Sequence, residues 1–247
     1  MHGDRDRAES FGSAADMYDR FRPSYPSAFI DDLAARGPTH VLDVGCGTGK
    51  VARALLDRGL RVLGVEPDEA MAAVASTHGV PVEQARFESW DPAGRTFDLL
   101  TAGHAWHWID PAVGLEKAAS VTTPGATVAL FWNYHALDPP MLKAFSEVYA
   151  ECAPELEVIG RDPTGLPDRD PFSGSDQFTP GESRTYRWPR ALSGEDWVAM
   201  LATFSDHRRL GHDRLLGLQD ALRDAISARG GTVQSTCGTY VWVSHRA

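Results

Sequence analysis

The chain has 247 residues, 43% hydrophobic and 23% charged, an ordinary globular composition with enough apolar material for a full core. Its formal net charge is −10, and no cluster of Lys and Arg offsets it. A surface that acidic repels phosphate backbones and anionic lipid, which argues against nucleic acid and membrane as partners.

Residues 1–10 are too polar for a signal peptide, and no apolar run in the chain approaches the length of a membrane span. Residues 14–21 place Ala14, Met17, Tyr18 and Phe21 on one helical face, and Pro23 and Pro26 break that element. A second helix is expected from Ser27 to Arg36, stopped by Gly37-Pro38. Val41-Leu42-Asp43-Val44 reads as a short buried strand closed by glycines, and residues 51–56 as the helix after it. Arg61 to Val65 form a second strand that ends at Glu66-Pro67, followed by an alanine-rich helix over 69–76. A weaker strand is expected over 80–87 and a clearer one over 97–101. Pro111 opens a helix that runs to Val121, and residues 126–132 form a strongly apolar strand.

The second half has a different texture. Met141, Leu142, Phe145, Val148, Tyr149 and Cys152 mark an amphipathic helix. Residues 154–189 carry repeated Pro, Gly and Asp with little periodicity, the pattern of a long functional loop. Trp197, Met200, Leu201 and Phe204 mark another helix, and Leu215, Leu218, Leu222 and Ile226 the next. Residues 237–243 alternate like a last strand, with 184–188 able to pair antiparallel to it. Cys46, Cys152 and Cys237 contain no CxxC pair, so no metal site is expected, and free thiols suit a reducing, cytoplasmic setting.

Strands alternating with helices imply right-handed crossovers and a largely parallel sheet covered on both faces. The expected fold is therefore α/β, a Rossmann-like doubly wound sheet of seven strands, mixed at one edge, with a capping insertion. Residues 1–247 are read as one domain: a helical cap (1–38), a ligand-binding core (39–135), an insertion or lid (136–195), and C-terminal helices with the last strand (196–247).

Asp43-x-Gly45-x-Gly47-x-Gly49 sits between a strand and a helix. Glycines there let the backbone turn and approach a ligand closely, and a helix N-terminus favours an anion. A P-loop would need Gly at Val44 and Ser or Thr at Val51. A dinucleotide fingerprint would need a small residue where Lys50 stands. Neither loop fits.

The Asp43–Gly49 segment resembles the first motif of the class I S-adenosylmethionine-dependent methyltransferases. Glu66 stands where that family places the acidic residue that accepts both ribose hydroxyls. Tyr18-x-x-x-Arg22-Pro23-x-Tyr25-Pro26, Phe87-Glu88-x-Trp90, Ala105-Trp106-His107-Trp108 and Tyr186-Arg187-Trp188-Pro189 are similar to segments of its small-molecule, type 11-like branch. The resemblance implies S-adenosyl-L-methionine as cofactor. It places Tyr18, Arg22, Asp43, Gly45, Cys46, Gly47, Gly49, Glu66, Pro67, Met71, Phe87, Glu88, Gly103 and His104 around it, with Glu88 at the adenine edge. The alternative for Tyr18 is that it only packs its helix on the sheet, and Cys46 is read as a small residue chosen for space.

Ligands of a parallel sheet bind beyond the carboxyl ends of its strands. Tyr25, Trp106, His107, Trp132 and Tyr134 are therefore the expected acceptor-side residues, and His107, His104 and His135 the candidate general bases. The alternative is that the tryptophans are core and the histidines incidental. His2, His40, His78, His207, His212 and His245 are expected on the surface. The implied reaction is direct methyl displacement onto O, N or C of a small molecule. A protein side chain as acceptor, and a non-catalytic cofactor-binding module, are the other readings. The expected assembly is a monomer or homodimer.

Overall fold

The computed structural model describes residues 15–161 and 169–247. Its centre is a seven-stranded sheet in the order β3-β2-β1-β4-β5-β7-β6. The strands are β1 (His40–Val44), β2 (Arg61–Glu66), β3 (Val82–Gln84), β4 (Phe97–Gly103), β5 (Thr122–Leu137), β6 (Glu182–Ser193) and β7 (Thr232–His245). Strands β1 to β5 pair in parallel, whereas β7 runs antiparallel between β5 and β6. The order reverses between β1 and β4, so their carboxyl ends flank the crevice where such a sheet takes a ligand.

The helices are α1 (Ala15–Phe21), α2 (Ser27–Ala34), α3 (Lys50–Leu56), α4 (Glu69–Thr77), α5 (Pro111–Val121), α6 (Pro139–Cys152), α7 (Gly194–Leu201), α8 (Ser205–Arg208) and α9 (His212–Ser227). Their starts follow local chemistry. Asp68, Asp110, Asp138 and Ser193 each accept backbone N–H groups of the first turn of α4, α5, α6 and α7. Pro111 and Pro139 occupy first-turn positions where a missing N–H costs nothing.

Both faces of the parallel half are covered. Phe29, Ile30 and Leu33 of α2 and Val51, Ala52 and Leu55 of α3 pack on one side. Ala118, Ala119 and Val121 of α5, with Trp90 and Trp106, pack on the other. That is why Val41, Leu42 and Val44 are all apolar. Beyond the crevice, β5 and β7 continue as a paired ribbon, Tyr134 opposite Gly238 and His135 opposite Cys237. A third core joins Phe145 and Tyr149 of α6, Trp197 and Leu201 of α7 and Leu218, Leu222 and Ile226 of α9 against Leu137 and Val233.

Four expectations change. The strand at 80–87 shortens to Val82–Gln84, and Phe87–Ser89 turns as a 3-10 helix. The strand at 126–132 runs on to Leu137, because β7 supplies partners along that length. The supposed loop to 189 ends earlier, since β6 begins at Glu182. Phe172 and Phe178 within it are buried against the sheet. Of the histidines assigned to the surface, His207 is 1% exposed and its Nε2 lies 2.7 Å from the Tyr149 hydroxyl.

Trp197 is fully buried, its ring 5.5 Å from both Phe145 and His135. Trp197→Ala is expected to cost about 3–5 kcal/mol of unfolding free energy. Urea denaturation checks this, and a loss below 1 kcal/mol would mean the C-terminal helices are not fused to the sheet core.

Candidate active site at the carboxyl ends of β1, β2 and β4

Gly45, Gly47 and Gly49 all have positive φ, so the loop leaving β1 is closed to most other residues. A Cβ on Gly45 would lie 2.5 Å from that of Ala105, so the loop is pressed against the end of β4. Asp43 anchors the loop from behind. It is 2% exposed and accepts the Thr101 hydroxyl at 2.7 Å. Burial pushes its carboxyl up to about 7, against the pull of Thr101 and the backbone of Ala52.

Glu66 ends β2 inside this loop, 6% exposed. One oxygen accepts the Gly47 N–H at 2.8 Å and the other the Asp68 N–H at 3.0 Å. Burial again dominates and raises the carboxyl to about 7, while those two N–H groups oppose the rise. Cys46 is buried, with its sulfur over Gly64 of β2, the space-filling role expected of it. Pro67 is partly exposed and Met71, on α4, is 3% exposed. Phe87 lies 3% exposed in the core with Val44, Val65 and Ala105, and Glu88 is partly exposed on the same turn.

The N-terminal helix is fastened to this loop by Asp19, which the sequence reading passed over. Thr48 donates to Asp19 Oδ1 at 2.9 Å, His78 Nε2 lies 2.9 Å from Oδ2, and Lys50 Nζ reaches both the Asp19 carbonyl and its carboxylate. His78, expected on the surface, is thus half-buried in this cluster. Burial works against ionisation, yet Thr48, Lys50 and His78 together hold the Asp19 carboxyl below its usual value. The signal was there: Lys50, which breaks the dinucleotide fingerprint, needed an acidic partner.

One turn on, Arg22 lies flat on Phe204, 3.4 Å from its centroid. It donates Nε to the Thr203 hydroxyl at 2.7 Å and Nη2 to the Thr203 carbonyl at 3.1 Å. Tyr18 is 5.2 Å from the same guanidinium, and burial raises its phenol. Tyr25 stands edge-on to Phe131 at 4.9 Å, its hydroxyl over Gly103.

The end of β4 turns sharply, with His104 at φ 55°. Its Nε2 accepts the Asn133 N–H at 2.7 Å, which puts the ring proton on Nδ1. Burial, then the charge of Arg22, lowers its pKa to about 3. His107 accepts the Trp132 indole N–H on Nδ1 at 3.1 Å, so its proton sits on Nε2. His135, a candidate base, is 6% exposed, with its ring 5.5 Å from that of Trp197. Its Nδ1 lies 3.3 Å from Cys237 Sγ, and burial lowers it to about 3. Trp106 turns into the core against Gly114 of α5 and so does not face an acceptor. Tyr134 lies across Gly238 on the face of the ribbon opposite His135.

Asp19→Asn should cost on the order of 1–3 kcal/mol at neutral pH. A carboxyl held low in the fold stabilises above its unfolded pKa near 3.8, and that contribution is lost as pH falls through the folded value. The deficit of the variant should therefore shrink in acid. Denaturant melts of both proteins at neutral pH and at about pH 3 test it, and a deficit independent of pH would refute the ionic role.

A family model described as a methyltransferase domain matches residues 42–130, the stretch from β1 to β5. The chain is 30% identical over 213 residues to an uncharacterized methyltransferase of Mycobacterium bovis, covering 81% of this chain and 79% of that one. It is 29% identical over 145 residues to a trans-aconitate 2-methyltransferase of Acidovorax sp., covering 56% and 55%. A solved structure from Anaeromyxobacter dehalogenans, described as a candidate type II methyltransferase, superposes with a TM-score of 0.66 at 24% identity, covering 90% of this chain and 97% of that one. With the glycine loop, Glu66 and the sheet order in place, the chain belongs to the class I S-adenosylmethionine-dependent methyltransferases.

Proposed function

We propose that this chain transfers a methyl group from S-adenosyl-L-methionine to a small organic acceptor by direct displacement. The observation that carries the reading is Glu66, a buried carboxylate at the mouth of the glycine loop. Each of its oxygens has accepted one backbone N–H and keeps lone-pair capacity for one hydroxyl, which suits the two hydroxyls of a ribose. Gly45 and Gly47 leave the backbone bare beside it. The cofactor supplies an electrophilic methyl on a cationic sulfur. The chain supplies placement, through Glu66 and the loop on one side and Tyr25, Gly103 and His104 on the other. In this reading residues 15–38, 136–161 and 169–195 cap the acceptor side of the core at 39–135. A small acceptor agrees with the crowding of Tyr25 and His104 at the crevice and with the name of the trans-aconitate relative.

The raised pKa of Glu66 sets a pH dependence. A carboxyl raised in the fold is partly protonated near pH 7 and costs the unliganded protein stability as pH rises from about 4.5 to about 7. Hydroxyl donors bind the ionised form. Affinity for S-adenosylhomocysteine should therefore fall as pH drops below 7, by up to about tenfold per pH unit. Glu66→Gln should bind at least ~tenfold more weakly at about pH 8, with a flattened profile, and NAD should not bind comparably. Calorimetry across that range tests this. Tight NAD binding, or an unchanged constant in Glu66→Gln, would sink the reading.

The three histidines are assigned to placement, not proton removal. His104 and His107 each spend their acceptor nitrogen on a neighbouring N–H, and His135 is buried with its Nδ1 3.3 Å from Cys237 Sγ. Replacing each by Gln should leave turnover well short of the ~10²–10⁴-fold loss that follows removal of a general base. A loss of that size in any one, with a shifted pH profile, would restore it as the base.

A further inference from the structure

Strand β3 is short, and the segment that leaves it has no strand before β4 opens at Phe97. That segment starts beside Glu66. Gln84 pairs with Glu66 in the register of β2 and β3, and the Ala85 N–H donates to the Glu66 carbonyl at 3.2 Å. Phe87–Ser89 then turn as a 3-10 helix, with Phe87 buried and Glu88 partly exposed. With a ribose on Glu66, the base it carries comes against this turn.

The turn is held at its root by a carboxylate that has no part in the site described above. Glu83 Oε2 accepts the Trp90 indole N–H at 2.6 Å and Arg95 Nη2 at 2.9 Å, while Oε1 accepts Arg95 Nη1 at 2.7 Å. Arg95 also donates Nε to the Pro92 carbonyl at 2.7 Å. Lys117 of α5 donates to the Trp90 carbonyl and stands 6.0 Å from the centroid of its ring. Trp90 is 4% exposed, and its backbone N–H donates to the Phe87 carbonyl at 3.3 Å, so pinning the indole pins the turn.

Glu83 and Arg95 are each 40% exposed, and an exposed ion pair adds little to stability. A two-pronged arginine–carboxylate pair does fix direction, and here the same carboxylate also fixes a buried indole. Direction matters for Glu88. A carboxylate accepts the exocyclic amine of adenine and repels the carbonyl oxygen that hypoxanthine carries at the same place. A turn free to retreat would lose that distinction.

Resting on the S-adenosylmethionine reading, we infer that Glu83, acting through Trp90 and Arg95, positions the 87–89 turn so that the chain selects adenine in its cofactor. Glu83 is a positioning residue, and Glu88 is the group it positions.

The test uses the full chain and compares, by calorimetry, S-adenosylhomocysteine with its inosine analogue, in which oxygen replaces the amine. Failure of the unmodified protein to bind S-adenosylhomocysteine would count against the methyltransferase reading itself. The unmodified protein should prefer the adenine compound at least ~tenfold, and Glu83→Gln should cut that preference to about twofold or less, chiefly by weakening the adenine compound. Trp90→Phe keeps the ring and loses the N–H, and should move the ratio the same way. Arg95→Lys keeps the charge without the fork, and should fall between. Preference over an analogue lacking one ribose hydroxyl, which reports on Glu66, should stay within about twofold in all three variants. A merely structural role would lower the unfolding midpoint and weaken both bases alike. An unchanged ratio therefore overturns the inference, as does an unmodified protein that binds both bases equally. One measurement needs no variant: hydrogen exchange of the Trp90 indole proton should be slow before ligand is added, and fast exchange there overturns the inference as well.

Discussion

The hydrogen bond from the Gly47 N–H to Glu66 joins two segments nineteen residues apart and sets the shape of everything around it. A carboxylate this deep is costly unless backbone donors meet it, and only a loop with positive φ at Gly47 turns its N–H inward to do so. The same turn presses Gly45 onto Ala105, which fixes how near the ends of β1 and β4 must come. Because the parallel register puts the end of β2 beside the end of β1, the acid arrives where the glycines need it. The sheet order, the loop and the charge are thus one constraint met three times.

A second consequence is a division of charge within a strongly acidic chain. Asp43 and Glu66 stand on the β1–β2 side of the crevice, and Asp19 binds α1 to the loop above them. On the far side stands Arg22, beside imidazoles that burial, and after it the charge of Arg22, keeps neutral. In the proposed reading, a ligand spanning the crevice would meet carboxylates at one end and a cation at the other, so electrostatics would favour one orientation.

The parallel half of the fold was legible because its strands are short apolar runs punctuated by glycine and proline, and because β1 to β5 alternate with helices. Glu66 was legible for the same reason, as the last residue of such a run. What escaped was tertiary. The ends of β5 and β7 could not be found from their own sequences, because each is a strand there only through pairing with the other. Asp19 was missed because its neighbour Tyr18 carries the family resemblance, whereas its own partners Thr48, Lys50 and His78 come from distant positions. The position of Phe204 under Arg22 had no local signal at all.

Strand β6 is the outer edge of the sheet over twelve residues, with β7 its one strand partner among the described residues. A row of free backbone groups that long is a template on which another chain could add a strand and begin an aggregate. Here the row is interrupted by Pro189, which has no N–H to offer, and is studded with Glu182, Arg184, Arg187 and Arg190. Arg184 and Tyr186 are moreover tied back to Asp32 of α2, at 2.6 Å each, which draws this margin toward the body of the protein. The extension of the sheet that shapes the acceptor side therefore carries its own protection against edge-to-edge association, written into side chains that take no part in the chemistry.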